Sequence, residues 1–328
     1  MTTDTKQQNL QTYKPKFPEV VDNTIVSAFL SCPTKAYRQH FLGLQPPQKS
    51  IHLHAGGCFA KALEVARLQY YTLGATSLAA LEQAHLAFIK EWGEVEAPER
   101  GTGANKTFER VWGAVEFYFE QYPFASDPIK PVELPDSQSS IEFSFGIPLP
   151  IDHPDTGDPI IYAGRFDLLG HYEKFIAIID EKTTSALGAS WPNQWGLKSQ
   201  FIGYVWGAQR SGIETQTAVI RGVSILKTKY DTLQVIKHFP PHMVDRWRAN
   251  MLRAVAHMKA YYEEAKTCAD DNDLKAVDEV WPRNYGNSCT EYGGCIFTDL
   301  CTSPNPAIWY SDFDVRRWNP LERAADIS

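Results

Sequence analysis

The alternation of apolar and polar positions changes period along the chain. From Val21 to about Phe124, apolar residues recur at intervals of three and four in VDNTIVSAFLSCPTKAYRQHFLGL, CFAKALEVARLQYYTLG, ATSLAALEQAHLAFIKEW and FERVWGAVEFYFEQY. That spacing collects them on one face of a helix and predicts a helical front section. The Pro-rich segment FASDPIKPVELPDSQ, Phe124 to Gln138, breaks the pattern and predicts a connection. Beyond it the period falls to two. SIEFSFGIPL, PIIYAGRFDLLGHYE and KFIAIIDEKTT, separated by DHPDTGD and the short HYEK joint, predict antiparallel strands. WPNQWGLKSQFIGYVWGAQRSG (Trp191 to Gly212) returns to helical spacing and stops at Gly212. TAVIRGVSILKT and TLQVIKHF predict two further strands, and HMVDRWRANMLRAVAHMKAYYEEA a long helix. The remainder, dominated by Asn, Gly, Pro and Cys, predicts irregular structure, and the polar start predicts a loose arm.

One strand ends unusually. FIAII is apolar enough to be buried, yet it runs straight into Asp180, Glu181 and Lys182. Alternate strand residues share a face, so Asp180 and Lys182 project together while Glu181 points the other way with Ile179. The preceding strand carries Asp167 between apolar neighbours in GRFDLL, and the short joint makes the two strands hairpin partners. Asp167 and Asp180 then meet side by side. Two such carboxylates repel unless a hard cation neutralises them, and oxygen ligands favour magnesium or manganese. A metal there would lower the pKa of a bound water, with Lys182 orienting it or stabilising charge as a phosphodiester is attacked. The plain alternative is a salt-bridged pair at a strand end.

Composition narrows the field without deciding it. The 328 residues suffice for one large or two modest domains, and 43% hydrophobic content supplies a core. No window reaches the length of an apolar membrane span, and MTTDTKQQNL lacks a signal peptide's apolar segment, so an intracellular, cytoplasmic protein is expected. A net charge of −7 argues against a wholesale nucleic-acid coat. Between Gly196 and Pro240, however, Lys198, Arg210, Arg221, Lys227, Lys229 and Lys237 face only Glu214 and Asp231. That run is either an ordinary solvated face or a local basic groove.

GRFDLL, IIDEKTT and the following helix with QFIGY together resemble the PD-(D/E)XK nuclease superfamily, in its RecB-like and CRISPR-associated exonuclease branch, often found in phages. The resemblance, spanning roughly Val21 to Cys301, implies an α/β fold with a restriction-endonuclease-like core: a central mixed β-sheet flanked by helices, plus a helical N-terminal section and a cysteine-rich C-terminal tail. It implies that Asp167, Asp180 and the backbone carbonyl of Glu181 bind the metal, with Lys182 as the catalytic lysine. Gln200 and Tyr204 match the family's Gln and Tyr, and their i,i+4 spacing puts an amide and a phenol on one helix face. Upstream the family has G-x-x-x-H-x-x-L-E. Here GGCFAKALE matches at Gly56 and Glu64, so Glu64 is a further catalytic and metal-site residue by resemblance, while Ala60 departs from the family's His. His52 and His54 nearby are read as solvent-facing or helix-start residues.

Cys289, Cys295 and Cys301 stand with five residues between each pair, in a stretch too irregular to fold unaided. RecB-like nucleases with an iron-sulfur cluster add one cysteine before a proline near the N-terminus, and CPTKAYRQHFLGL resembles that opening motif. The resemblance therefore implies a [4Fe-4S] cluster, or alternatively a structural zinc, on Cys32, Cys289, Cys295 and Cys301. It lacks the family's short two-residue gap in the C-terminal trio. Cys58 and Cys268 are read as small buried hydrophobes. Trp191, Trp195 and Trp206 either stack on bases in a strand channel or pack in the core.

The expected organisation is an arm (1–20), a helical section (21–124), a nuclease core (125–265) and a metal-binding tail (266–328) packed on the helical section. The expected function is metal-dependent hydrolysis of DNA, single-stranded or at duplex ends, with exonuclease chemistry implied by the family resemblance rather than by spacing. Recombination, repair or phage DNA processing is the expected setting, in the host cytoplasm for a phage protein, with a recombination or helicase protein as a possible partner and no membrane. The rivals are a non-catalytic DNA-binding or assembly subunit that keeps the fold, a structure-specific or RNA-directed endonuclease, and a zinc-stapled structural protein.

Overall fold

The computed structural model describes residues 14–135, 138–270, 274–290 and 294–321; of the arm expected at 1–20, residues 1–13 lie outside the described residues. The chain forms two compact units. One draws on the chain up to Gln48, Gly146–Gly164 and the chain from Asp245 on; the other comprises Lys49–Phe145 and Arg165–Val244.

The second unit opens with three helices: α2 (Ile51–Arg67), α3 (Ser77–Trp92) and α4 (Phe108–Gln121), which follow α1 (Asn23–Ser31) of the first unit. Each of the three starts on a hydroxyl cap, Ser50, Thr76 or Thr107, whose side chain accepts from a backbone N–H of the first turn. Their apolar faces converge with Val223 and Ile225 into one core that includes Phe59, Leu63, Phe88, Val115 and Tyr118.

The strands are β1 (Val20–Val21), β2 (Leu44–Gln45), β3 (Lys130–Pro131), β4 (Ile141–Asp152), β5 (Pro159–Tyr172), β6 (Phe175–Thr184), β7 (Thr217–Ile225), β8 (Tyr230–His238) and β9 (Asp314–Val315). Among the described residues the main sheet has the order β1-β5-β6-β7-β8, with β3 and β4 also paired to β5. β5 and β6 form the expected antiparallel hairpin, in register from Tyr172↔Phe175 to Leu168↔Ile179. Its turn is only Glu173-Lys174, with Glu173 at φ +54°. From β6 the chain crosses over through α5 (Ser199–Arg210) to β7, which lies parallel to β6 with Asp180↔Ile220, Glu181↔Arg221 and Lys182↔Gly222. An antiparallel β8 completes the sheet. The α/β class with a central mixed sheet flanked by helices is therefore observed.

Two local expectations change. The helical stretch from Trp191 to Gly212 is a 3-10 turn at Trp191–Trp195 followed by α5 from Ser199. Gly196 weakens any helix between them, and Leu197, 81% exposed, packs against no core. The Pro-rich connection is not wholly irregular, since Lys130–Pro131 pairs with Gly170 and His171. Gly212, at φ +82°, ends α5 as expected.

In the first unit, β1 pairs with the start of β5 and β2 with β9. The long helix is α6 (Pro241–Asp270). An aromatic core joins N- and C-terminal segments of this unit: Tyr37 stacks on Trp281 at 4.9 Å, and Thr34 Oγ1 donates to the Trp281 carbonyl at 2.6 Å. No described helix is long and apolar enough to cross a membrane.

Candidate active site

The β5/β6 pairing runs to Leu168↔Ile179, and the next residue on each strand is an acid, Asp167 and Asp180, so the two come together where the apolar part of each strand ends. Asp167 Oδ2 accepts from the Glu181 backbone N–H at 2.7 Å. Asp180 is buried, and its Oδ2 lies 2.5 Å from Lys182 Nζ. Apart from Lys182, the buried Asp180 Oδ2 has no polar partner among the described residues. Burial first, then the charges of Asp180, Glu181 and Glu142, push the Asp167 carboxyl well above its ordinary range, with Lys182 only partly offsetting them. Burial also raises Asp180 despite Lys182. Burial alone would lower Lys182, but Asp180 and Asp167 outweigh it and keep the ammonium charged.

Glu181 points to the opposite face, as alternation requires, and its side chain has its own role. It is held by Arg67 of α2 through Nη1 at 3.1 Å and through Nη2, and it accepts from Tyr118 Oη of α4 at 2.9 Å. Tyr118 accepts in turn from Arg67 Nη2 at 2.8 Å and Arg221 Nη1 at 3.0 Å. Arg221 forks onto Asp127 at 2.6 and 2.7 Å. Burial alone would raise the Glu181 carboxyl, but Arg67 and then Arg221 and Tyr118 hold it below its ordinary value. An ion-paired chain thus underlies the strand that carries Asp180 and Lys182.

Glu64 lies one turn before Arg67 on α2 and pairs with Lys61 at 2.9 Å. A side chain on Gly56 of this helix would touch Thr183 Oγ1, which packs α2 against the end of β6. Glu64 also bears on Glu142 of β4, whose carboxyl rises to about 7 through burial and the charges of Glu64 and Glu181, opposed by Arg165 and Arg67. Gln200 Nε2 donates to Tyr204 Oη at 2.8 Å, and the Tyr204 ring meets Phe166, the neighbour of Asp167, edge-on at 5.6 Å.

Other sequence-selected residues fall elsewhere. Trp191, Trp195 and Trp206 are buried, the Trp191 ring filling the space over Gly222, so core packing rather than base stacking accounts for them. Cys58 is buried and Cys268 only partly so. Arg221, counted in the basic run, is fully buried and committed to Asp127, which removes it from any solvated face or groove. Arg67, Tyr118, Asp127 and Glu142 were not singled out by sequence. Arg221 alone carried a usable signal, a charge inside the apolar strand TAVIRGVSIL.

Among the described residues, no three His, Cys, Asp or Glu side chains form a ready-made metal cage. Magnesium does not require one, since it commonly binds through one or two carboxylates and keeps several waters. Two carboxyls, Asp167 and Asp180, each raised by burial and with the charge of Asp180 acting on Asp167, are an oxygen donor pair that fits a hard cation. In the first unit, Cys32, Cys289, Cys295 and Cys301 line one cavity of about 190 Å³. Arg38 Nη1 donates to Cys301 Sγ at 3.0 Å. The four thiols share that cavity but are not drawn together into a metal-binding group.

Paired acids and a lysine at the ends of adjacent strands of a mixed α/β sheet define a nuclease-type site. Across residues 24–302 the chain matches the family model of the PD-(D/E)XK nuclease superfamily, and it belongs to that superfamily. No curated relative matches it. Solved structures with distant likeness include a protein titled SSO0001, 8% identical with a TM-score of 0.28, covering 76% of this chain and 83% of that one. An alkaline exonuclease from Laribacter hongkongensis is 14% identical with a TM-score of 0.27, covering 66% and 98% respectively. The same exonuclease in complex with dAMP is 15% identical, with a TM-score of 0.25 and the same coverage, 66% and 98%. At such scores these likenesses decide nothing about this chain.

Proposed function

We propose that the protein is a divalent-metal-dependent deoxyribonuclease that hydrolyses phosphodiester bonds from DNA ends. The observation that carries this reading is the meeting of Asp167 and Asp180 with Lys182 at 2.5 Å from the second acid. Asp167, Asp180, the Glu181 carbonyl and Glu64 are the groups that would hold magnesium or manganese. When bound, such a cation polarises phosphate oxygens and lowers the pKa of a coordinated water. Lys182, kept charged by the two acids, stabilises the charge that builds on the phosphate. Gln200 and Tyr204, bonded to each other beside Phe166, orient the phosphate backbone.

The same proposal assigns a [4Fe-4S] cluster to Cys32, Cys289, Cys295 and Cys301, supported by their shared cavity. It would fasten the N-terminal segment to the tail within the first unit. Recombination, repair or phage DNA processing, with a helicase or recombination partner, is the setting proposed. The test is degradation of end-labelled linear single- and double-stranded DNA and of closed circles in magnesium or manganese, with Asp180→Ala beside the intact protein. Metal-dependent loss of linear DNA that vanishes in the variant supports the reading. Binding without cleavage by both proteins would transfer the function to a DNA-binding scaffold, and cleavage of closed circles to an endonuclease.

A further inference from the structure

Glu142 is one of two described non-glycine residues with positive φ, at +54°. The other, Glu173, sits in a tight turn where such a conformation is usual. Glu142 sits inside a strand, where Ile141, Phe143 and Phe145 are buried in regular alternation. A non-glycine residue in the left-handed region inside a strand is uncommon and marks the position. The side chain meets Arg165 of β5, with Nε and Oε2 at 3.1 Å. Arg165 stands two residues before Asp167 and so shares its face of the strand. The charges of Glu64, Glu181 and Asp167 all act on the Glu142 carboxyl or feel it, which puts the pair beside the acids.

An acid-lined site must admit a polyanion, and a nearby guanidinium is the group suited to a phosphate. Resting on the nuclease reading, we infer that Arg165 contacts a phosphate of the substrate and that Glu142 is a positioning residue that holds the guanidinium beside Asp167 in the free protein. DNA binding exchanges the Glu142 carboxylate for a phosphate oxygen as the partner of Arg165. Glu142 therefore competes with substrate. Its removal favours binding, whereas a carboxylate that merely braced the strand would, once removed, weaken it.

The experiment measures equilibrium binding of a short labelled oligonucleotide, single-stranded and duplex, to the full-length protein by fluorescence anisotropy over a range of salt concentrations. Calcium replaces magnesium, and gels verify that the DNA stays intact. Arg165→Gln is expected to weaken binding about tenfold and to reduce the salt slope by about one, the signature of a lost phosphate contact. Arg165→Lys retains the charge and part of the affinity. Glu142→Gln is expected to tighten binding severalfold, and the double variant to behave like Arg165→Gln. Misfolding cannot produce tighter binding, so the opposite signs keep the test decisive. If Glu142→Gln and Arg165→Gln shift binding in the same direction, or neither shifts it while the intact protein cuts DNA, the inference fails and the nuclease reading stands. An intact protein that neither binds nor cuts DNA removes the nuclease reading and this inference with it.

Discussion

Arg67→Met removes the main support of Glu181 while roughly keeping the volume of the side chain. The variant loses two charge-assisted bonds to Glu181 and one to Tyr118. Glu181 is almost wholly buried, with 1% of its side chain exposed, so its carboxylate is left with little water to replace them. Two hydrogen bonds to a charged group at about 1.5–3 kcal/mol each give roughly 3–6 kcal/mol. This agrees with the about 3–5 kcal/mol typical of breaking a buried ion pair from one side. Chemical denaturation followed by far-UV circular dichroism at neutral pH measures the loss. The pair has a definite pH signature: Glu181 is held below its ordinary 4.5, so its stabilisation is present above that value and is lost as pH falls through the folded-state pKa. The cost of Arg67→Met should therefore shrink in acid, where the stranded carboxyl takes up a proton. Adding Glu181→Leu should recover at least half of the loss, because replacing both partners removes the uncompensated charge. A cost below about 1 kcal/mol for Arg67→Met, or a double variant as unstable as the sum of the singles, would refute the assignment of Glu181 to a charge-compensated buried network.

Asp167→Asn keeps an acceptor for the Glu181 N–H but removes a charge that burial and neighbouring acids disfavour; the metal-free protein should melt higher, and its melting point should no longer rise on adding magnesium or manganese. Lys182→Met should retain a metal-induced rise in melting temperature while kcat falls by a factor on the order of a hundred or more, as for loss of one preorganised electrostatic group. Glu142, raised from 4.5 to about 7, contributes stability that is fully present below the unfolded value and is lost as pH rises through the folded one. Stability of the metal-free protein should accordingly drop between about pH 5 and 7, and Glu142→Gln, compared by pH-dependent melting, should show a shallower drop. Cys295→Ser should lose iron and labile sulfide together with brown absorbance and should melt lower; unchanged iron content and melting would exclude Cys295 as a ligand.

What the sequence disclosed followed from local rules. Charges that interrupt apolar strands are costly, so GRFDLL and IIDEKTT announced Asp167, Asp180 and Lys182, and the short joint announced that they would meet. The same rule applied to TAVIRGVSIL would have marked Arg221, but its place in a run of basic residues suggested a solvated surface. Arg67 looks like any polar residue on an amphipathic helix, and Asp127 sits in a Pro-rich connection with no period to read. Their partners lie 114 and 94 residues away, and only the folded chain brings those segments together. Alternation correctly placed Ile141, Phe143 and Phe145 inward, yet it carries no information on the sign of a backbone angle, so the left-handed conformation of Glu142 was invisible.

The two-residue turn between β5 and β6 makes the spacing of Asp167 and Asp180 a matter of counting. Each acid is tied to the turn by one strand, and successive strand residues face opposite ways. Inserting or deleting a single residue on one arm would slip the register and send one acid to the face occupied by Glu181, parting the pair without removing either side chain. Length variation among descendants of this chain should therefore be tolerated in the connection around Leu197 and forbidden between Asp167 and Asp180. The hairpin acts as a fixed ruler for the site.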